Sequence, residues 1–296
     1  MEEKRDAIVK IEVPIVVDDH ALRRPGMQTG WDSKRNTRYA EALVAEIKAN
    51  AGQFDDFRVC AVSLGGGAAS NLGRGVADVM RALRASLDVA DDAQITMESC
   101  VANISGATMP FFLRAKVQRF DFEMLSLNSR DFSSLNRVDA LGDLPIICDN
   151  FLHAYANNRL GFVLAYGHGA PEGQNGPLNV RRSALEATRT HTAHVRLERV
   201  CDELYAGEET EARHLAEVRD VFNAAGFVEY LPLMFAKPGN EDRFALMEAE
   251  GAPRIAFGAG ATTRLDGVAS TNTSDFELYC EKSADFAAIT VDVQQL

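Results

Sequence analysis

FRVCAVSLGGGAAS, residues 57–70, passes from an apolar, β-branched run straight into three glycines and on, after Leu72, to GRGVADVMRALRASL. Val76, Met80, Leu83 and Leu87 recur there at helical spacing, so the stretch spells strand, tight turn and helix. The same order repeats outward from it. Strand patterns lie at 8–17, 93–100, 117–127, 160–167, 191–200 and from 227 to 235, with a late run RIAF at 254–257. Between the first two strands, RYAEALVAEIKAN sets Tyr39, Ala40, Leu43, Val44 and Ile47 on one helical face, and a helix over 208–225 ends at Gly226 as a C-cap. Alternating strands and helices without a break in composition predict one α/β domain over residues 1–296, with a short C-terminal extension from about 240. In such domains ligands collect at the carboxyl ends of the strands.

The composition agrees. With 46% hydrophobic and 25% charged residues, the chain is neither disordered nor collagen-like. Its net charge of −12 argues against nucleic acid as the main partner. No apolar run is long enough to span a bilayer and no signal-peptide pattern opens the chain, so a soluble, cytoplasmic protein is expected. Cys60, Cys100, Cys148, Cys201 and Cys280 form no CxxC or CxxxC pair. Reduced, buried thiols are expected rather than a local zinc or cluster motif.

Set in order, several segments resemble the radical SAM enzymes related to oxygen-independent coproporphyrinogen III oxidase and its heme-chaperone relatives. Leu64 to Ser70 matches the family's "GGGTPS" turn, and Ile95-Thr96-Met97-Glu98 its "ITIE" strand. VQRFDFEMLSLNSRDFSSLNR echoes "VNRISxGVQSF…LGR", with Arg119, Ser126, Asn128 and Arg137 in place. Tyr166 to Pro171 is a looser "YGLPGQT". "FAKPG" is intact at 235–239, and "GxGAG" followed by an asparagine and a tyrosine appears as FGAGA, Asn272 and Tyr279. The resemblance implies a partial (β/α)6 TIM-like barrel of the radical SAM type.

It also implies an iron–sulfur cluster on CxxxCxxC after "YIHIPFC". This chain has Lys10-Ile11-Glu12-Val13-Pro14-Ile15-Val16, and the three cysteine positions fall on Val16, His20 and Arg23. Valine has no donor atom and arginine stays protonated, so no iron–sulfur cluster is expected, and radical chemistry by this chain alone is not. S-adenosylmethionine binding is expected only in weakened form. Gly66, Gly67, Glu98 and Arg137 remain, joined by Gly258 and Gly260, but Lys10 and Leu125 replace a tyrosine and a glutamine, and Val163 or a neighbour replaces an aspartate.

Each candidate carries two readings. The glycine triplet cradles a polar head, or only makes a turn requiring positive φ. Glu98 and Arg137 clamp a ligand, or form a structural ion pair. Asp121 and Glu123 share one strand face and could serve as acid and base, or be satisfied by Arg119. His20 and His168 share a mouth that could take a metal, or stand apart as structural histidines. His191 and His194 bracket the entry to a strand.

The stretch 21–40 holds Arg23, Arg24, Lys34, Arg35 and Arg38 against the single acid Asp32, with Trp31, the sole tryptophan, among them. It is a solvated loop, or a docking surface for an acidic partner or an anionic ligand such as a porphyrin carboxylate. The leading expectation is a catalytically degenerate radical SAM-like pseudoenzyme. It would act as a binding or partner subunit, beside an intact relative or on a tetrapyrrole-related (heme) pathway. The alternative is a cluster-independent enzyme using the barrel mouth, with Glu98, Asp121, Glu123, His20, His168 and Arg137 as candidates.

Overall fold

Strand β1 (Arg5–Glu12) stops where Pro14 removes a ladder donor, so the run expected over 8–17 divides. A two-residue strand β2 (Ile15–Val16) follows and pairs in parallel with β3 (Gln28–Thr29). This computed structural model describes residues 4–16, 27–29, 32–132, 135, 148–149, 151–153, 155, 159–169 and 178–296. His20, Arg23, Arg24, Trp31 and Arg137 lie outside the described residues. Contacts along the chain group it into two compact units, one holding the described residues of 1–17, 26–118 and 242–296, the other those of 119–241.

In the first unit, helix α1 (Ser33–Asn50) begins at Asp32, whose carboxylate accepts from Lys34 N at 2.9 Å and Arg35 N at 3.1 Å. Its apolar face buries Tyr39, Leu43 and Ile47 completely, about 1.5–3 kcal/mol for each large side chain. Strand β4 (Phe57–Gly65) and helix α2 (Arg74–Ser86) follow as the glycine-turn stretch predicts, with Val76, Met80 and Leu83 buried. A Cβ on Gly75 would lie 2.6 Å from Ala40 Cβ, so glycine there lets α1 and α2 meet closely. Strand β5 (Asp88–Ser99) and the short α3 (Met109–Arg114) complete the N-terminal part.

The second unit holds the strands β6 (Arg119–Leu125), β7 (Arg159–Tyr166) and β8 (His194–Arg199), parallel and in that order. Helices α4 (Val180–Arg189) and α5 (Glu208–Ala224) accompany them, the latter with Glu208, Glu209 and Glu211 in its first turn, where acids favour the helix dipole. The single run expected at 227–235 is a hairpin, β9 (Val228–Leu231) and β10 (Met234–Ala236), turned at Pro232 and Leu233, the latter at φ +66°. His191 precedes β8 at φ +55°, so it does not bracket the strand as an alternating residue.

Residues 242–296 belong to the first unit. Helix α6 (Arg243–Ala249) sets Phe244 against Ile8 and Ala61, and β11 (Arg254–Phe257) pairs in parallel with β1. Strands β12 (Thr262–Leu265) and β13 (Val268–Asn272), the helices α7 (Phe276–Lys282) and α8 (Phe286–Ile289), and β14 (Thr290–Gln295) follow. The sheet order in this unit is β14-β13-β12-β11-β1-β4-β5, antiparallel up to β11 and parallel from there. No helix among the described residues is long and apolar enough to cross a membrane.

Candidate functional site

Gly65, which ends β4, and the two glycines after it each face a different neighbour. A Cβ on Gly65 would stand 2.4 Å from the Glu98 carboxyl carbon, and one on Gly66 1.9 Å from Glu12 Oε2. Gly66 also lies at φ +93° and donates its N–H to Glu98 Oε2 at 2.8 Å. On Gly67 a Cβ would be 2.8 Å from the carbonyl oxygens of both Val13 and Ile15. The chain leaving β1 therefore lies on the turn, fixed by Val13 N to Gly65 O at 2.6 Å and Ala68 N to Ile15 O at 2.9 Å. The turn meets two carboxylates, Glu12 half-buried and Glu98 buried.

Below it, the same sheet face carries a polar row. Lys10, Ser63 and Thr96 are register partners across β1, β4 and β5, and Lys10 Nζ donates to Ser63 Oγ at 3.2 Å. Thr96 is buried, and among the described residues its hydroxyl has no hydrogen-bond partner. One row further down, Ile8, Ala61 and Phe244 close an apolar floor with Met247.

The FGAGA segment frames a second buried carboxylate, Glu46 of α1. Gly258, at φ +117°, donates its N–H to Glu46 Oε2 at 2.8 Å; Asn272 Nδ2 reaches Oε1 at 2.7 Å, and Tyr279 donates its hydroxyl to Oε2. Tyr39 bridges the group to β1 by donating to Glu12 O at 2.8 Å and accepting from Ala259 N. Burial outweighs these three donors and pushes the Glu46 carboxyl up to about 7. Gly260, at φ +74°, donates its N–H to Thr273 O. Gly258 and Gly260 thus shape a loop closed on Glu46. Sequence reasoning singled out Gly258, Asn272 and Tyr279 but missed Glu46, the acid they hold, although it lies on the buried face of α1.

In the second unit Asp121 and Glu123 are both buried on β6. Asp121 Oδ1 lies 3.1 Å from Arg119 Nε and 3.7 Å from His194 Nδ1, and His194 Nε2 lies 2.8 Å from the Tyr230 hydroxyl. A Cβ on Gly161 would stand 1.9 Å from Asp121 Oδ1, so that glycine makes room for the acid. Burial first, then Arg119 and Arg196, push the His194 imidazole well below its ordinary range and keep it neutral. Leu125, at φ +57°, ends β6 in a bulge beside β7, and Ser126 there donates to Asp131 Oδ2 at 2.6 Å. His168 is fully buried and bridges to Tyr205. Next to it His214, which sequence reasoning missed, accepts from Gly167 N at 3.1 Å, and burial lowers it to about 4.

Of the basic segment, Arg38 pairs with Glu277 and the Arg35 guanidinium sits 5.3 Å over the Phe276 ring, both on α7; Lys34 is exposed. Cys60, Cys100 and Cys148 are buried free thiols, and burial pushes Cys148 up to about 12. Among the described residues no group of three or more His, Cys, Asp and Glu side chains is arranged to hold a metal. Val16, which the resemblance sets against the first cluster cysteine, presents a hydrocarbon side chain only 2% exposed. A hydrocarbon offers no donor to an iron–sulfur cluster, which thiolates hold; His20 and Arg23 lie outside the described residues.

No family model matches the chain, and no curated protein matches it in sequence. Among solved structures, it is similar to the coproporphyrinogen III oxidase of Escherichia coli, a radical SAM enzyme, with TM-score 0.81 and 14% identity over 99% of this chain and 72% of that one. This likeness bears out the expected α/β fold class of the radical SAM type. Weaker likenesses are to a hydroxymethylglutaryl-CoA lyase from Pseudomonas aeruginosa (TM-score 0.41, 14% identity, 74% of this chain and 66% of that) and to a queuine lyase from Clostridium spiroforme bound to SAM and queuine (TM-score 0.43, 8% identity, 75% and 84%).

Proposed function

We propose that this chain, with the fold of a radical SAM coproporphyrinogen III oxidase, carries no cluster of its own and acts by binding, as a partner subunit on a tetrapyrrole-related pathway. Val16 carries this reading: a buried hydrocarbon stands where a thiolate is needed. Without a cluster no electron is available to cleave a sulfonium bond, so S-adenosylmethionine, if held at the glycine turn, would be a ligand rather than a radical source. The tetrapyrrole clause is supported by the likeness in fold, and the partner clause by the basic segment 21–40.

The test is anaerobic reconstitution with iron and sulfide. Wild-type protein should stay colourless, while a variant carrying Val16→Cys, His20→Cys and Arg23→Cys should gain a visible charge-transfer band. A stable band in the wild type would overturn the reading. Coproporphyrin titration followed at the Soret band tests the pathway clause, which a flat trace would end.

A further inference from the structure

Helices α1 and α2 lie side by side and leave between them an open cleft of about 1080 Å³. Its lining runs from Ser33 to Lys48 along α1 and from Asn71 to Ala85 along α2, so at 1.5 Å per residue it is about 22 Å long. The helices touch beneath it where Gly75 meets Ala40, and Ala40, Val44, Leu72 and Ala82 give it an apolar floor. Lys48, Arg74 and Arg81 stand on its rim against Glu41 and Asp78. Both arginines share Asp78, Arg81 at 3.0 Å and Arg74 at 3.6 Å, and Lys48 has no ion pair among the described residues. The rim is therefore net positive on a chain whose net charge is −12. Asn36, only 3% exposed, lines one end. Its Nδ2 donates to Asn71 O at 3.0 Å, while its Oδ1 accepts no hydrogen bond among the described residues. A buried acceptor without a donor is costly, so this one marks where a ligand's N–H or O–H belongs.

We propose that this cleft seats an acidic amphipathic helix of a partner protein. Length and volume together give a cross-section of about 50 Å². That is about half the section of a helix 10–12 Å across, and much more than one extended acyl tail fills. A helix sunk to its axis between α1 and α2 fits it. The small floor residues let such a helix approach closely with its apolar face down, and carboxylates flanking that face meet Arg74, Arg81 and Lys48. An asparagine or glutamine on the face supplies the donor that Asn36 lacks. A basic helix would be repelled by the rim, and a second copy of this chain by its own net charge. Ser33, Asn36 and Thr37 belong to the basic stretch 21–40, so the inference deepens the partner reading and rests on it for the kind of ligand.

Fluorescence anisotropy with labelled helical peptides of about 16 residues decides it. Each carries one leucine–alanine face with a single glutamine, flanked by glutamates, by lysines or by serines. Saturable binding of the glutamate peptide is expected, about tenfold or more tighter than of the other two. Ala45→Trp, which fills the cleft from a half-buried position on α1, should abolish it. Arg74→Glu with Arg81→Glu should turn the preference to the lysine peptide. Far-UV circular dichroism confirms that the variants fold. No saturable binding of the glutamate peptide, binding that Ala45→Trp leaves unchanged, or a preference that charge reversal does not move would overturn the proposal. So would dimers in sedimentation that Ala45→Trp dissolves, which would put a second copy in the cleft. A wild type that takes up a cluster yet binds the glutamate peptide in the cleft would refute only the functional reading; a colourless protein that binds no peptide would refute only this one.

Discussion

Replacing Glu46 by glutamine should remove a pH dependence of stability that the wild type carries. The Glu46 carboxyl is 2% exposed, and burial raises it from the ordinary 4.5 to about 7 against the opposing pull of Tyr279, Gly258 and Asn272. Between those pH values the folded chain keeps a proton that the unfolded chain has released. Folding is therefore linked to proton uptake, and stability falls as pH rises through this window. The contribution is whole below 4.5 and lost above about 7, and at 1.36 kcal/mol per pH unit it amounts to roughly 3 kcal/mol. Urea unfolding followed by circular dichroism at pH 5, 6, 7 and 8 measures it. With a denaturant slope of about 3 kcal/mol/M, the wild-type midpoint should fall by about 1 M relative to Glu46→Gln over that range. Histidines such as His214 titrate in both proteins and cancel in the difference. Parallel pH profiles for the two proteins would refute the assignment of the proton to Glu46. Glu46→Ala, by contrast, should be less stable at every pH, because it leaves the Gly258 N–H, the Asn272 amide and the Tyr279 hydroxyl without their acceptor.

Gly67→Ala should cost about 2 kcal/mol by overpacking, since its methyl would press on two backbone carbonyls that cannot swing aside; a change under 0.5 kcal/mol in chemical denaturation would refute that tight contact. Asp121→Ala should destabilise by about 3 kcal/mol by removing a carboxylate from the buried Arg119 guanidinium, and adding Arg119→Met should restore part of the loss. Additive losses in that double-mutant cycle would mean the two groups do not form a unit.

Local pattern determined a good deal of this protein. The β4–turn–α2 stretch, the apolar face of α1, the helix ending near Gly226 and the strand RIAF all follow from periodicities within a dozen residues, where backbone geometry alone fixes which side chains share a face. Where two elements were taken for one, at 8–17 and 227–235, a proline had already marked the break at Pro14 and Pro232. The motif order likewise carried the fold class.

Tertiary structure decided what those residues do. Gly258, Asn272 and Tyr279 stand more than 200 positions from the carboxylate they hold, and His194 is 73 positions from Asp121. Glycines that look alike in sequence serve three different neighbours at 65, 66 and 67. Such contacts depend on which strands become neighbours. That choice is made by burying the whole set of apolar faces together, so no short window of sequence contains it.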